Sequence, residues 1–207
     1  MKLVEKPRKI PKQARSRSMV DAILEATARV LVKRGYSGTN TNLIAEVAGV
    51  SVGSIYQYFP NKESLIVALH QRHAIQMQDM IIHLFSRSKK TTLRGAMKAL
   101  VKAVLEAHLV EPKLHYVLEW EFPLLDLHKD VNSADYDIPG QVVQAILKNH
   151  RDEIRRPNLE LAVYIVIKMI KSLVHQTVLE PSRYYTQPEI EDAISEAAFG
   201  YLTIPPE

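Results

Sequence analysis

The chain has no cysteine, which removes disulfides, thiolate nucleophiles and cysteine metal sites from its chemistry and leads us to expect a reducing, cytoplasmic setting. Glycines are few, 7 in 207 residues, and 46% of the residues are apolar, a balance that suits a mostly helical globular protein. No uncharged apolar run reaches the roughly eighteen residues needed to cross a bilayer, and no segment resembles a secretory signal, so no membrane partner is expected. There is no G-x-S-x-G, no phosphate-binding glycine loop and no H-E-x-x-H, so neither an enzyme nor a cofactor is expected.

What the chain does have is concentrated near its N-terminus. Residues 1–65 hold 11 Lys/Arg against 5 Asp/Glu, while the remainder holds 16 against 18. A polyanion would therefore sit against the first third of the chain. Within it, Thr39 to Leu65, TNTNLIAEVAGVSVGSIYQYFPNKESL, predicts two short helices joined by a tight turn and followed by the start of a third. Asn40 is a good N-cap for a helix over about 41–48, and Gly49 ends it because a left-handed backbone costs glycine nothing. Ser51 caps a second helix of about eight residues, which Pro60 and Asn61 close. Ile44, Val47 and Ala48 fall on one face of the first helix, where Val50, Ile55 and Phe59 can pack against them. Val52, Gly53, Ser54, Tyr56, Gln57 and Tyr58 remain outward, the small and hydrogen-bonding face that a DNA recognition helix needs.

This run resembles the DNA-binding domain of the TetR/AcrR transcriptional regulators, whose pattern is roughly I-A-x-x-A-G-V-S-x-G-x-x-Y-x-Y-F-x-x-K-x-x-L. The matching residues are Ile44, Ala45, Ala48, Gly49, Val50, Ser51, Gly53, Tyr56, Tyr58, Phe59, Lys62 and Leu65. Upstream, Arg17, Ile23, Leu24, Ala28 and the Gly35-Tyr36 pair are similar to the family's first helix. The resemblance implies an all-α homodimer of about nine helices with three parts: a basic arm over 1–14, a helix-turn-helix domain over 15–65, and a helical effector-binding and dimerisation domain over 66–207. It also implies a palindromic DNA operator. Ser51, Val52, Gly53, Ser54 and Gln57 would face bases, Thr41 and Asn42 would approach from the first helix, and Tyr56, Tyr58 and Lys62 would hold phosphates. Two departures stand out: Asn40 where a second threonine is usual, and Leu43 where a polar residue is usual. The recognition helix also lacks Arg and Lys, so bidentate guanine contacts must come from elsewhere or be absent.

The rest of the chain reads as helices over 15–34, 61–85, 92–110, 113–127, 138–155, 158–179 and 188–203, punctuated by prolines, with Asp126 to Asp137 as an acidic loop. Residues 1–14 carry five basic residues and one acid, the composition of a solvated tail or of an arm that follows phosphates. Lys62, at the start of the fourth helix, joins free backbone N–H groups suited to a phosphate. Segment 159–174, LELAVYIVIKMIKSLV, is apolar nearly all round and must be covered on more than one side. The last segment carries a stripe of Ile190, Ala193, Ile194, Ala197, Ala198 and Tyr201. The resemblance implies that these last two helices form the dimer interface; otherwise they complete the monomer's own core.

A small effector is likewise implied by the resemblance. Leu114 to Leu125, LHYVLEWEFPLL, sets aromatic rings beside carboxylates, which suits an aromatic or largely apolar compound, with His115, Tyr116, Glu119 and Trp120 as candidate lining. His115 and Glu119, four apart, and His70 and His73, three apart, have spacings that can hold a metal. Eight histidines produce such pairs by chance, however, and no third ligand is recognisable, so no metal is expected. The expected function is a repressor released from DNA by its effector. An architectural or division-control protein of the same fold, or a regulator whose C-terminal domain takes a protein partner, would share most of these features.

Overall fold

The computed structural model describes residues 13–87, 92–118 and 138–205, and every regular element among them is a helix. In chain order these are α1 (Ala14–Gly38), α2 (Thr41–Ala48), α3 (Val52–Tyr58), α4 (Lys62–Ser86), α5 (Leu93–Val110), α6 (Pro112–Tyr116), α7 (Ile138–Asn149), α8 (Leu159–Leu179) and α9 (Gln187–Thr203). Packing divides the described residues into two compact units. The first holds residues up to Ile75 with residues 113–118, and the second holds Gln76–Pro112 with residues from 138 onward. The helix-turn-helix thus belongs to a unit that extends ten residues past the expected boundary along α4 and also recruits α6.

In the first unit the helix ends follow from local chemistry. Gly35 leaves helical space at φ 66° and ψ 178°, which breaks α1 where the sequence places its stop, and one further turn ends at Gly38. The Asn40 side chain accepts from the Leu43 N–H at 2.9 Å, and Gly49 takes the left-handed conformation, φ 67°, that closes α2. Ser51 Oγ accepts from the Ser54 N–H at 3.0 Å. Asn61 and Ser64 cap α4 reciprocally: Asn61 Oδ1 accepts from Ser64 N at 2.8 Å, and Asn61 N donates to Ser64 Oγ at 3.3 Å. Ser51→Ala is expected to lower stability by about 1 kcal/mol in a thermal or urea melt, because one N–H of α3 loses its partner. An unchanged midpoint would contradict that assignment.

The core of this unit is built from Ile23, Leu31, Ile44, Ile55, Leu65, Ile66 and Leu69, each fully or almost fully buried. Two expectations for the faces fail. Val47 is 44% exposed, because the inward arc of α2 spans Ile44, Ala48 and Ala45 and Val47 lies roughly 60° beyond its edge. Tyr58 is only 7% exposed, because it stands three residues after the fully buried Ile55 and shares its face. Leu43, half-buried, packs against the edge of the same core.

The second unit packs α5 against α7, α8 and α9. Thr92 caps α5, and the Leu93 N–H donates to the Glu153 carboxylate at 3.3 Å. Glu153 also meets His150 Nδ1 at 2.9 Å, in the turn that ends α7 at Asn149 rather than 155. Helix α8 is long and apolar enough to cross a membrane by length and composition. Its row Ala162, Val166, Ile170, Val174 and Val178 is nevertheless buried in this unit's core, while Leu161, Tyr164 and Leu173 face outward. The apolar stripe of α9 divides: Ile194, Ala198 and Leu202 are buried in the core, whereas Ala193 and Ala197 are exposed. Lys98–Asp192 and Arg94–Glu196 join α5 to α9 at the surface, where such pairs add little stability. Of the expected helix over 113–127, α6 is a five-residue helix followed by two residues of wider π-type turn; the remainder, with the acidic stretch, lies outside the described residues.

Candidate nucleic-acid interface

The outward surface of α2 and α3 is set by what their inward faces bury. With Ile55 and Tyr58 committed to the core, Ser51, Gly53, Tyr56 and Gln57 are left exposed, and Val52 and Ser54 are half-buried between the two faces. On α2, Asn42 is exposed and Thr41 half-buried. The structure therefore presents nine of the ten residues expected to contact DNA at least partly to solvent, and corrects the tenth: Tyr58 contributes its ring to the core.

Two contacts fix the orientation of this surface. Thr41 Oγ1 and Tyr56 Oη lie 3.3 Å apart, tying the first turn of α2 to the exposed side of α3. At the other end, Lys62 Nζ donates to the Tyr36 carbonyl at 3.1 Å and sits 4.0 Å from the Tyr36 ring centroid. The Tyr36 hydroxyl donates to Glu63 Oε1 at 3.0 Å. Burial, and then this bond to a carboxylate, push the Tyr36 hydroxyl above its ordinary pKa. The segment that leaves α1 after Gly35 is thus clamped onto the first turn of α4. The Lys62 ammonium has three donors, so one bond to Tyr36 leaves it able to meet a phosphate.

Gly53 carries a further signal. A Cβ built at this position would meet only Ser51 Oγ at 3.7 Å, an ordinary contact, and its φ is not in the left-handed range. Nothing among the described residues requires glycine there. A glycine within a helix is less favourable than alanine by about 0.5–1 kcal/mol.

The candidate effector residues scatter. His115 is buried and faces His73, with Nε2 of His73 and Nδ1 of His115 3.2 Å apart. Tyr116 is 45% exposed, which corrects its assignment to an interior lining: it follows His115 by one residue and so points about 100° away. Glu119 and Trp120 lie outside the described residues. The second unit also contains a half-open groove of about 340 Å³ lined by Phe85, Ala96, Val142, Ala145, Ile146, Asn149 and His150. That volume is at the lower end for small-molecule sites, and apolar walls with a few polar groups are their usual composition. None of these groove residues stood out in sequence, because they come from three helices with no shared motif.

Comparison with known proteins agrees with this geometry. Residues 23–69 match the family model for bacterial regulatory proteins of the tetR family, and residues 92–202 match that for the tetracyclin repressor-like C-terminal domain. The chain is similar to the HTH-type transcriptional regulator TtgR of Pseudomonas putida, with 26% identity over 77% of this chain and 80% of that protein. Similarity to the uncharacterized HTH-type transcriptional regulator YvkB of Bacillus subtilis is higher, 46%, but covers 25% of this chain and 28% of that one. Among solved structures, the fatty acid degradation regulator FadR from Bacillus halodurans superimposes with a TM-score of 0.72 at 20% identity, covering 92% and 97% of the two chains. A putative TetR-family regulator from Mesorhizobium loti superimposes with a TM-score of 0.71 at 21% identity, covering 93% and 100%.

Proposed function

Because this chain belongs to the tetR family of bacterial regulatory proteins, we propose that it is a homodimeric repressor that binds a palindromic operator and is released from it by a small, largely apolar effector. The observation that carries this is the outward face of α3. Ser51, Gly53, Tyr56 and Gln57 are exposed above a fully buried Ile55, which gives short, hydrogen-bonding side chains at the end of the helix that enters a major groove. Ser51 to Ser54 and Gln57 address base edges. Tyr56 and Lys62 hold phosphates, with Thr41 and Asn42 alongside.

Dimerisation is supported by apolar surface that the second unit leaves uncovered. On α9, Ala193, Ala197 and Ile204 are exposed and Gly200 half-buried, at spacings of four, three and four that place them on one face. On α8, Leu161, Tyr164 and Leu173 are exposed. Small residues on α9 allow two helices to approach closely, and larger apolar ones on α8 supply area. Two copies would then present half-sites one helical turn, about 34–36 Å, apart. The groove between α4, α5 and α7 is the candidate effector site. An effector that prefers the DNA-free form lowers operator affinity by the factor by which operator lowers effector affinity.

The division of roles on the DNA face is testable on a duplex recovered from random DNA. Lys62→Ala is expected to weaken binding to all sequences alike and to reduce the salt slope by about 1, whereas Gln57→Ala shifts the preferred sequence and leaves the slope unchanged. Lys62→Ala also removes the Tyr36 clamp, so its melting point is measured alongside. A changed preference with Lys62→Ala, or a uniform loss with Gln57→Ala, would overturn the assignment.

A further inference from the structure

Among the described residues, four histidines are buried: His73, His108, His115 and His175. Placing an imidazole inside a helical core costs free energy unless its nitrogens are used. Two close ring contacts lie among them, one within each unit, and each joins two different helices. In the first unit, His73 Nε2 on α4 and His115 Nδ1 on α6 are 3.2 Å apart, with ring planes tilted by 43°. In the second, the rings of His108 on α5 and His175 on α8 have centroids 4.7 Å apart and planes tilted by 57°.

The nitrogen spacing of the first pair is that of ligands. Two imidazole nitrogens on one tetrahedral ion, each bonded at about 2.0–2.1 Å, stand roughly 3.4 Å from each other. The His73–His115 separation is close to that. His108 Nδ1 lies 2.6 Å from the Val104 carbonyl oxygen. A carbonyl only accepts, so Nδ1 carries the proton and Nε2 presents the lone pair. Donation of one ring N–H to a backbone carbonyl is how metal-binding histidines are oriented and made more basic. A hydrogen bond between neutral imidazoles also fits 3.2 Å, and metal uptake separates the two readings.

We propose that the protein binds a divalent transition-metal ion of the zinc class through these histidine pairs. The histidines expected from spacing alone, His70 with His73 and His115 with Glu119, are not the pairs the structure forms. The ligands come together from residues 42 and 67 positions apart, which no local motif reveals. The site requires nothing of the proposed operator or effector.

The test uses the full chain, freed of metal by dialysis against a chelator. Zn²⁺ is titrated in competition with a chromophoric chelator, and Co²⁺ is titrated while visible absorption is recorded. Saturable uptake at micromolar affinity or tighter is expected, at one or two ions per chain, with Co²⁺ bands of a nitrogen-ligated four-coordinate ion. His73→Asn and His108→Asn should each weaken uptake about tenfold or more, while the exposed His83→Gln leaves it unchanged. Uptake no tighter than millimolar, or equal in the parent and both buried-histidine variants, would overturn the proposal. Helix content of each variant is followed by circular dichroism. If neither buried-site variant folds, the Co²⁺ spectrum of the parent decides: intense four-coordinate bands support the site, and the weak spectrum of hydrated cobalt overturns it.

Discussion

Gly53→Leu is expected to reduce operator affinity by about 100-fold or more, close to 3 kcal/mol, while the folded protein stays at least as stable. The two halves of this result have separate causes. Inside the chain a Cβ at this position meets one ordinary contact at 3.7 Å and no strain, and replacing a helical glycine adds about 0.5–1 kcal/mol by restricting the unfolded chain. Outside the chain, a branched side chain on the exposed face of α3 would hold the helix away from the groove, and base-edge hydrogen bonds near 2.9 Å do not survive such a displacement. Gly53→Ala separates the effects: its melting temperature should rise slightly, and its affinity should fall by less than that of the leucine variant. A leucine variant that binds as tightly as the parent, measured by fluorescence anisotropy at fixed salt, would mean that α3 does not enter a groove at this position. A large drop in stability would mean that the glycine serves the fold.

Ala197→Glu is expected to convert a dimer into a monomer in sedimentation velocity at micromolar concentration. Ala197 is exposed on α9, one turn from exposed Ala193 on one side and near Gly200 on the other. A carboxylate there fits a solvated monomer without disturbing Ile194 and Ala198 beneath it, which are buried in the unit's own core. Against a second copy it sets two like charges in an apolar seam, which is strongly unfavourable. Because two linked readers bind two half-sites with a combined affinity that exceeds either alone by about 10²–10⁴, loss of the dimer should lower operator affinity by a similar factor with little change in helix content. A variant that sediments as the parent would place the interface elsewhere. A parent that is itself monomeric would remove the dimer from the account.

The parts of the fold that were legible in the sequence are those with local causes. Asn40, Gly49 and Ser51 act within three or four residues of their own backbone, so the boundaries of α2 and α3 were readable to within about a residue from the side chains alone. The faces were less legible because they depend on the angle at which a helix meets its neighbours. Tyr58 reads as outward from its hydroxyl, but the position of its ring is decided by Ile55 one turn earlier. On α9 both sides are apolar, and periodicity does not distinguish the residues that fill the core, Ile194 and Ala198, from those left exposed, Ala193 and Ala197. The Tyr36–Lys62 clamp joins residues 26 apart and the His73–His115 pair residues 42 apart. Both exist only once α4 has packed, and no spacing rule anticipates them. Of the candidate effector residues, only His115 and Tyr116 fall within the described part of the chain, and they point in different directions.

The central claim is sequence-specific binding by a two-fold symmetric reader, and selection of random duplex DNA by the purified full-length protein tests it most directly. At roughly 0.15 M salt, binding through phosphates alone is weakened and base readout is favoured. Recovery of one palindromic sequence, with half-sites about one helical turn apart, is the predicted result. Recovery of duplexes that share no sequence, from protein that is folded and binds DNA only at low salt, would contradict it and favour a fold that grips the phosphate backbone without reading bases.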